Sequence, residues 1–199
     1  MRPLLCIGIV VALASCGGPQ GTTVQRINPN AQVDLSGNWN DTDANQAARV
    51  MIQDCLTRPW AQKFKQEKGR DPVVRLSLIR NRSSEHINTR FFTKQVEKEL
   101  LNSGTAKVVA DREEAEDQRD ERADQARHAS DKTVKAQQQE TGSDFLLGGW
   151  INYQPDAEGG VEVRAYQITM ELINSESNEK VWLGEHKIKK VVNRPAGEW

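Results

Sequence analysis

The sequence predicts an α+β fold: a small, mainly antiparallel β-sheet with flanking α-helices. Three observations predict it. Apolar residues recur at helical spacing over residues 43–56 and 88–104, and short alternating apolar runs lie at 73–79 and 106–110. From Asp144 onward the chain turns β-rich, with turn clusters between the segments. Runs of helix and then of strand favour helices packed on one mostly antiparallel sheet.

The elements follow in order. The N-terminus, MRPLLCIGIVVALASCGG, has one basic residue, Arg2, and then an apolar run from Leu4 to Leu13. The run is too short to span a bilayer and ends in small residues, so residues 1–15 read as a signal peptide. Leu13-Ala14-Ser15-Cys16 resembles the bacterial lipobox, in which the signal is cut before the cysteine and the thiol carries a diacylglycerol. Cys16 is then the expected lipid attachment; the alternative is an ordinary secretory signal with an incidental cysteine. Each acyl chain adds roughly 0.8 kcal/mol per buried CH2, so several chains together anchor stably. An aspartate after the cysteine would favour inner-membrane retention in enteric bacteria; Gly17 stands there, which suggests the outer membrane, facing the periplasm.

Residues 16–32 are expected to be the lipidated N-terminus and a flexible tether, because GGPQGTTVQRINPNAQ has no apolar period. Fully extended, that stretch reaches about 50–60 Å at 3.3–3.6 Å per residue. The globular domain is expected over 33–199. Its first stretch, VDLSGNWNDTDAN, supplies turn residues, an N-cap at Asp41 or Thr42, and Trp39, which is expected to dock where the tether ends. A helix over 43–56 carries the stripe Ala44, Ala48, Met51, Ile52 and Cys55, and Arg58-Pro59-Trp60 ends it. Val74, Leu76 and Leu78 alternate in a half-buried strand, and Phe92, Val96 and Leu100 share one helical face that stops at Ser103-Gly104.

Residues 111–130 hold eight acids and four arginines, with alanines as their apolar residues. Asp111 and Glu114 have capping-box spacing, and Glu116 and Arg119 lie three apart. The segment reads as a solvated helix laced with ion pairs or, alternatively, as a partner-facing helix. A second helical piece is expected over 131–142. In the last third, turn clusters at Asp156–Gly160 and Ser175–Asn178 divide three strands into two hairpins.

Composition excludes several functions. The chain has 27 basic and 28 acidic residues; without Arg2 the balance is 26 against 28, so no basic field favours nucleic acid. Of three cysteines, Cys6 lies in the signal and Cys16 takes the lipid, leaving Cys55 alone and no internal disulfide. On its apolar stripe Cys55 reads as a core residue, with a reactive thiol as the other reading. His86, His128 and His186 are far apart, without partners at metal-ligand spacing, and there is no phosphate loop or nucleophile elbow. Ser177–Lys180 fits S-x-x-K, but it falls in a turn and has no K-T-G partner. Ser83-Ser84-Glu85-His86 could place a nucleophile beside a base, but a loop before a helix explains these residues equally well. The protein is therefore expected not to be an enzyme and to need no cofactor or metal. Candidate partner-binding residues are Arg164 and Tyr166, as interface anchors on a mid-hairpin strand, although a half-buried strand explains Tyr166 as well, and Lys187 and Lys189, which with Lys190 and Arg194 make a basic strand end that is either a solvated edge or a face for an acidic partner.

Six separated segments, VDLSGNWNDTDA, IQDCLTRPW, EHINTRFFTK, REEAEDQRDERADQ, ETGSDFLLGG and NEKVWLGEHKIKK, occur in this order. Together with the lipobox they resemble the LpoB family of outer-membrane lipoproteins that activate a penicillin-binding protein. The resemblance covers the chain from Val33 to about Val192. It implies a non-enzymatic activator, anchored in the outer membrane, that docks on a non-catalytic domain of a bifunctional class A penicillin-binding protein and stimulates glycan polymerisation and cross-linking. A small antiparallel sheet with flanking helices is the fold it implies. Enteric members carry a longer, Pro- and Gln-rich tether than residues 17–32. The expected partners are the synthase and the outer membrane, with a monomeric state. The alternative is an accessory subunit of an outer-membrane assembly or secretion machine, since related domains occur there and fold alone does not set function.

Overall fold

The computed structural model describes residues 22–29, 31–130, 133, 135 and 140–193. The signal, Cys16, most of the 131–142 segment and Arg194 lie outside them. By its contacts the chain divides into a first unit, residues 1–31, and a second, 32–199. The described part of the first has no helix or strand, and its side chains, Val24 and Ile27 included, are exposed.

The second unit opens with α1, Asp41–Thr57. Its N-cap is Asn40, one residue before the two expected caps. The Asn40 side chain accepts the Asp43 backbone N–H at 3.1 Å, and the Asp43 carboxylate accepts the Asn40 N–H at 2.9 Å. That reciprocal pair satisfies two amides that a helix start leaves unpaired, so it beats Asp41 and Thr42. Ala44, Ala48, Met51, Ile52 and Cys55 are all buried, and Ala47 joins them. Pro59 ends α1 but also starts a helix that the apolar pattern was too short to announce: α2, Trp60–Lys68, closed by Gly69 at φ +70°. Trp60 and Phe64 point from it onto Phe145, at ring separations of 5.3 and 5.4 Å.

The expected strand over 73–79 ends early, at Leu76, and a second short strand follows it. β1 (Val73–Leu76) and β2 (Arg80–Asn81) are separated where the Ile79 N–H leaves the ladder for the Thr93 hydroxyl, 3.2 Å away. Next come α3 (Thr89–Ser103), β3 (Lys107–Val109) and α4 (Arg112–His128). In α4 the Asp111–Glu114 capping box is present, and Ala115 is the buried residue. Arg112 meets Glu116 within the helix, while Glu113 and Glu114 bind Arg90 and Lys94 of α3, and Arg119 binds Glu140 at 2.9 Å rather than Glu116.

Three strands of fourteen residues each follow: β4 (Phe145–Glu158), β5 (Val161–Asn174) and β6 (Lys180–Asn193). Both hairpins are antiparallel, with a register irregularity at Leu172/Ile173. The first turn is shorter than expected. Gly159 and Gly160, at φ +59° and +83°, close a two-residue loop whose positive φ angles match the strand twist. The sheet order is β3-β1-β4-β5-β6, with β2 also on β4, and the short strands pair in parallel. The fold is thus α+β with a mainly antiparallel sheet.

Strand alternation sorts the side chains. Phe145, Leu147, Ile151, Tyr166, Ile168, Met170, Leu172 and Trp182 point inward and are buried in one core with α1 and α3. Gly149 lies in that row because an added Cβ would come within 2.3 Å of the Thr169 carbonyl oxygen. The outward row includes Leu146, Trp150, Asn152, Gln167, Leu183, Lys187 and Lys189.

Two contacts pin the start of the domain. Trp39 packs edge-on against Phe92 and Tyr166, at 5.8 and 5.6 Å. Lys190, expected at a solvated strand end, is instead turned inward with its side chain 11% exposed. Its ammonium lies 2.9 Å from Asp34, 2.6 Å from Asp43 and 3.0 Å from the Asn38 carbonyl oxygen. Burial opposes the charge on Lys190, but the hydrogen bonds it donates to both carboxylates outweigh it and raise its pKa. The hydrogen bond to Lys190, aided by Gln32 and Asn40, lowers Asp34 from 3.8 to about 2.

Trp39→Ala should lower stability by about 2–3 kcal/mol, below the range for a fully buried aromatic because Trp39 is half-buried; a chemical unfolding midpoint checks this, and an unchanged midpoint overturns it. The lowered Asp34 pKa stabilises the fold above pH 3.8 and ceases to do so as pH falls toward 2. Asp34→Asn should therefore flatten the loss of stability across that window, measured by urea unfolding at stepped pH.

Candidate functional site

The residues that sequence chemistry singled out fall into two groups on opposite faces of the sheet. Arg164 and Tyr166 point inward. Tyr166 is 1% exposed, so it is not available as a surface anchor. Its hydroxyl lies 2.8 and 2.9 Å from the Glu85 carboxylate oxygens and 3.0 Å from the Gly37 carbonyl oxygen. Burial first, and then Glu85, pushes its phenol well above the ordinary range. The Arg164 side chain is 14% exposed and is held by Glu162 at 2.7 Å, by Glu85 at 3.4 Å and by the Asn38 side chain. The bond to Glu162 is the largest influence holding its guanidinium charged. Both residues are spent on closing the 37–39 segment and the 82–87 loop over the sheet. The half-buried strand reading of Tyr166 is the one the structure shows.

Lys187 and Lys189 point outward. They stand opposite Gln167 and Ala165 in the ladder, and both are exposed. Lys187 binds Glu185 at 2.9 Å. Beside them Asn152, Gln154 and Val163 complete a shallow, polar strip of sheet. Arg194, grouped with these lysines by sequence, lies outside the described residues.

The outward face also carries a feature that strand alternation placed but sequence analysis did not single out. Trp150 stands opposite Arg80 in the β2–β4 ladder, and the Arg82 guanidinium stacks over its ring, 4.4 Å from the centroid. The signal was there in the Arg-x-Arg of 80–82, but the break after Leu76 hid that this stretch is a strand paired with β4.

The chemical candidates resolve as structure. Ser83 hydrogen bonds with Asn81 and the Glu85 carbonyl oxygen, which shapes the loop and leaves no base beside its hydroxyl. Ser177 sits in the β5–β6 turn, while Lys180 reaches away to Glu171 at 2.6 Å. His186 points inward, and burial lowers its pKa. Among the described residues no group of three or more His, Cys, Asp or Glu could hold a metal ion. Among the same residues no helix is long and apolar enough to cross a membrane.

Cys55 is free, 1% exposed, and burial pushes its thiol up to about 12. A thiolate is the reactive form, so the site is inert near neutral pH. In protein lacking residues 1–16, Cys55 is the one thiol. A chromogenic disulfide reagent at pH 8 should label it only as fast as the domain unfolds; prompt labelling in native buffer would contradict this.

Comparison with known proteins bears on what a domain of this kind does. The family model described as peptidoglycan-synthase activator LpoB matches residues 43–188. No curated protein matches the sequence. Among solved structures, the chain is similar to the LpoB C-terminal domain from Escherichia coli at 16% identity and TM-score 0.45, covering 74% of this chain and 99% of that one. It is similar to the corresponding Salmonella enterica domain at 17% identity and TM-score 0.39, covering 66% and 94%. Lipoprotein GNA1162 from Neisseria meningitidis matches at 14% identity and TM-score 0.40, covering 63% and 88%. Membership rests on the family match, which spans α1 to β6: the chain belongs to the LpoB family of peptidoglycan-synthase activators.

Proposed function

We propose that this protein is an outer-membrane lipoprotein, anchored through Cys16, that binds a bifunctional class A penicillin-binding protein and stimulates its glycan polymerisation and cross-linking. Residues 16–32 act as the tether and 33–199 as the activator domain. The protein does no chemistry of its own; it changes the activity of the synthase by binding a non-catalytic part of it. The observation that carries this reading is the family match over residues 43–188. The outward row of β4–β6 supports it, because an exposed polar strip of sheet with Lys187 and Lys189 along its edge strand fits a protein partner better than a small substrate. Arg164 and Tyr166 contribute by holding the sheet and its opening segment in shape.

The test uses protein lacking residues 1–16, since the core residues all lie at Ala44 or beyond. Added to the cognate synthase, it should raise the rate of glycan-strand synthesis. No stimulation, together with no capture of any synthase from envelope extracts, would sink the reading. Lys187→Glu combined with Lys189→Glu should weaken the complex by about tenfold, the usual size for charge changes at an interface rim, while thermal unfolding stays within a degree or so. Equal affinity of the double variant would remove these lysines from the contact.

A further inference from the structure

The cations of this domain are mostly neutralised where they stand. Arg58, Lys65, Arg70, Arg90, Lys94 and Arg119 each meet a carboxylate within the chain. Arg80 and Arg82 do not. Among the described residues no carboxylate pairs with either, and both are exposed. They stand on the outward face at β2, where Arg80 is in register with Trp150 and Arg82 stacks on its ring. The groove they line is floored by Gly148 and bordered by Leu78, Leu146 and Ile173. Leu78 is 56% exposed and Leu146 38%. A Cβ on Gly148 would come within 2.5 Å of the Ser77 hydroxyl, so a side chain there would have to displace the Ser77 side chain. The nearest acid in the groove, Glu171, is already held by Lys180 at 2.6 Å.

We propose that the Arg80–Arg82–Trp150 patch is the anchor point at which an acidic surface of the synthase docks. This inference rests on the reading given under Proposed function and adds the chemistry of the contact. Two uncompensated guanidinium groups, one of them already ordered by stacking, lose little freedom when they bind carboxylates in a two-pronged geometry. A half-buried tryptophan between them, with leucine and isoleucine at the border, supplies the aromatic and apolar contact that concentrates binding energy at protein interfaces. The apolar border and flat floor favour an acidic protein surface over the carboxylates of the cell-wall polymer. The patch is continuous with Lys187 and Lys189 across β4 and β5 on the same face. The two basic clusters thus frame one contact area.

The experiment uses the full lipidated chain in detergent, with the cognate synthase and, separately, isolated cell-wall sacculi. Arg80→Glu with Arg82→Glu should weaken synthase binding at least about tenfold, and the remaining affinity should depend less on salt than that of the unaltered protein. Trp150→Ala should weaken it without altering the salt dependence. Thermal unfolding of each variant shows that the fold is kept. Should the double charge reversal fold poorly, Arg80→Gln with Arg82→Gln removes the charges without adding opposing ones and should give the same direction. Unchanged synthase affinity in the folded variants overturns the proposal. So does retained synthase binding with lost sacculus binding, which would assign the patch to the polymer. Failure of the unaltered protein to bind any synthase is a different result: it overturns the functional reading, and this inference with it.

Discussion

The register of the β4–β5 hairpin is the constraint on which the rest of the structure depends. Gly159 and Gly160 close it in two residues, with both φ angles positive. A side chain with a Cβ would be strained at either position, so the turn selects one loop length and one pairing. Because side chains alternate with period two, a slip by one residue would move Tyr166, Ile168, Met170 and Leu172 to the outside and bring Ala165, Gln167 and Thr169 into the core. A slip that carried β6 along with β5 would turn Lys187 inward as well, while Trp150 on β4 kept its side. A single turn therefore decides both what the core contains and what the outward face of the hairpin offers.

On the inward side, the sheet holds the helices through a few directed contacts. Trp182 donates to Asp54 of α1 at 2.8 Å, Trp60 and Phe64 close on Phe145, and Thr93 takes the amide that β1 gives up. The polar contacts gather at one end, where Glu85 collects the Tyr166 hydroxyl, Arg164 and the Trp39 amide. Each buried polar group there has a partner, and that is the condition under which burying such groups does not cost stability. The 82–87 loop, which in sequence resembled a nucleophile beside a base, is a clamp.

Much of this was legible in the sequence, for identifiable reasons. The α1 and α3 stripes repeat over enough turns for their period to show, and each buried residue named from them is buried. The antiparallel hairpins were visible because turn residues bound long alternating runs. What was missed involves contacts distant in the chain. α2 is nine residues, too short for its period to stand out after Pro59. The split of β1 from β2 depends on Thr93, thirteen or more residues away in sequence. Lys190 looked like one of a cluster of exposed lysines, and only the return of residues 34–43 to β6 shows that its charge is answered by Asp34 and Asp43. Arg164 and Tyr166 were credited with a surface role because residue type carries no information about which way a strand faces once the register is unknown. The outward tryptophan was overlooked for the same reason.

The Lys190 contact has a mechanical side. Asp34 and Asp43 meet a lysine near the end of β6, the strand at the edge of the sheet. A pull entering the domain at residue 32 therefore meets this ionic junction at Asp34 and passes from it to the β5–β6 ladder and, through Asp43, to the first turn of α1. Along a ladder of paired strands such a load is shared among many hydrogen bonds at once. A chain end held in this way is tied to the edge of the sheet as well as to the first helix.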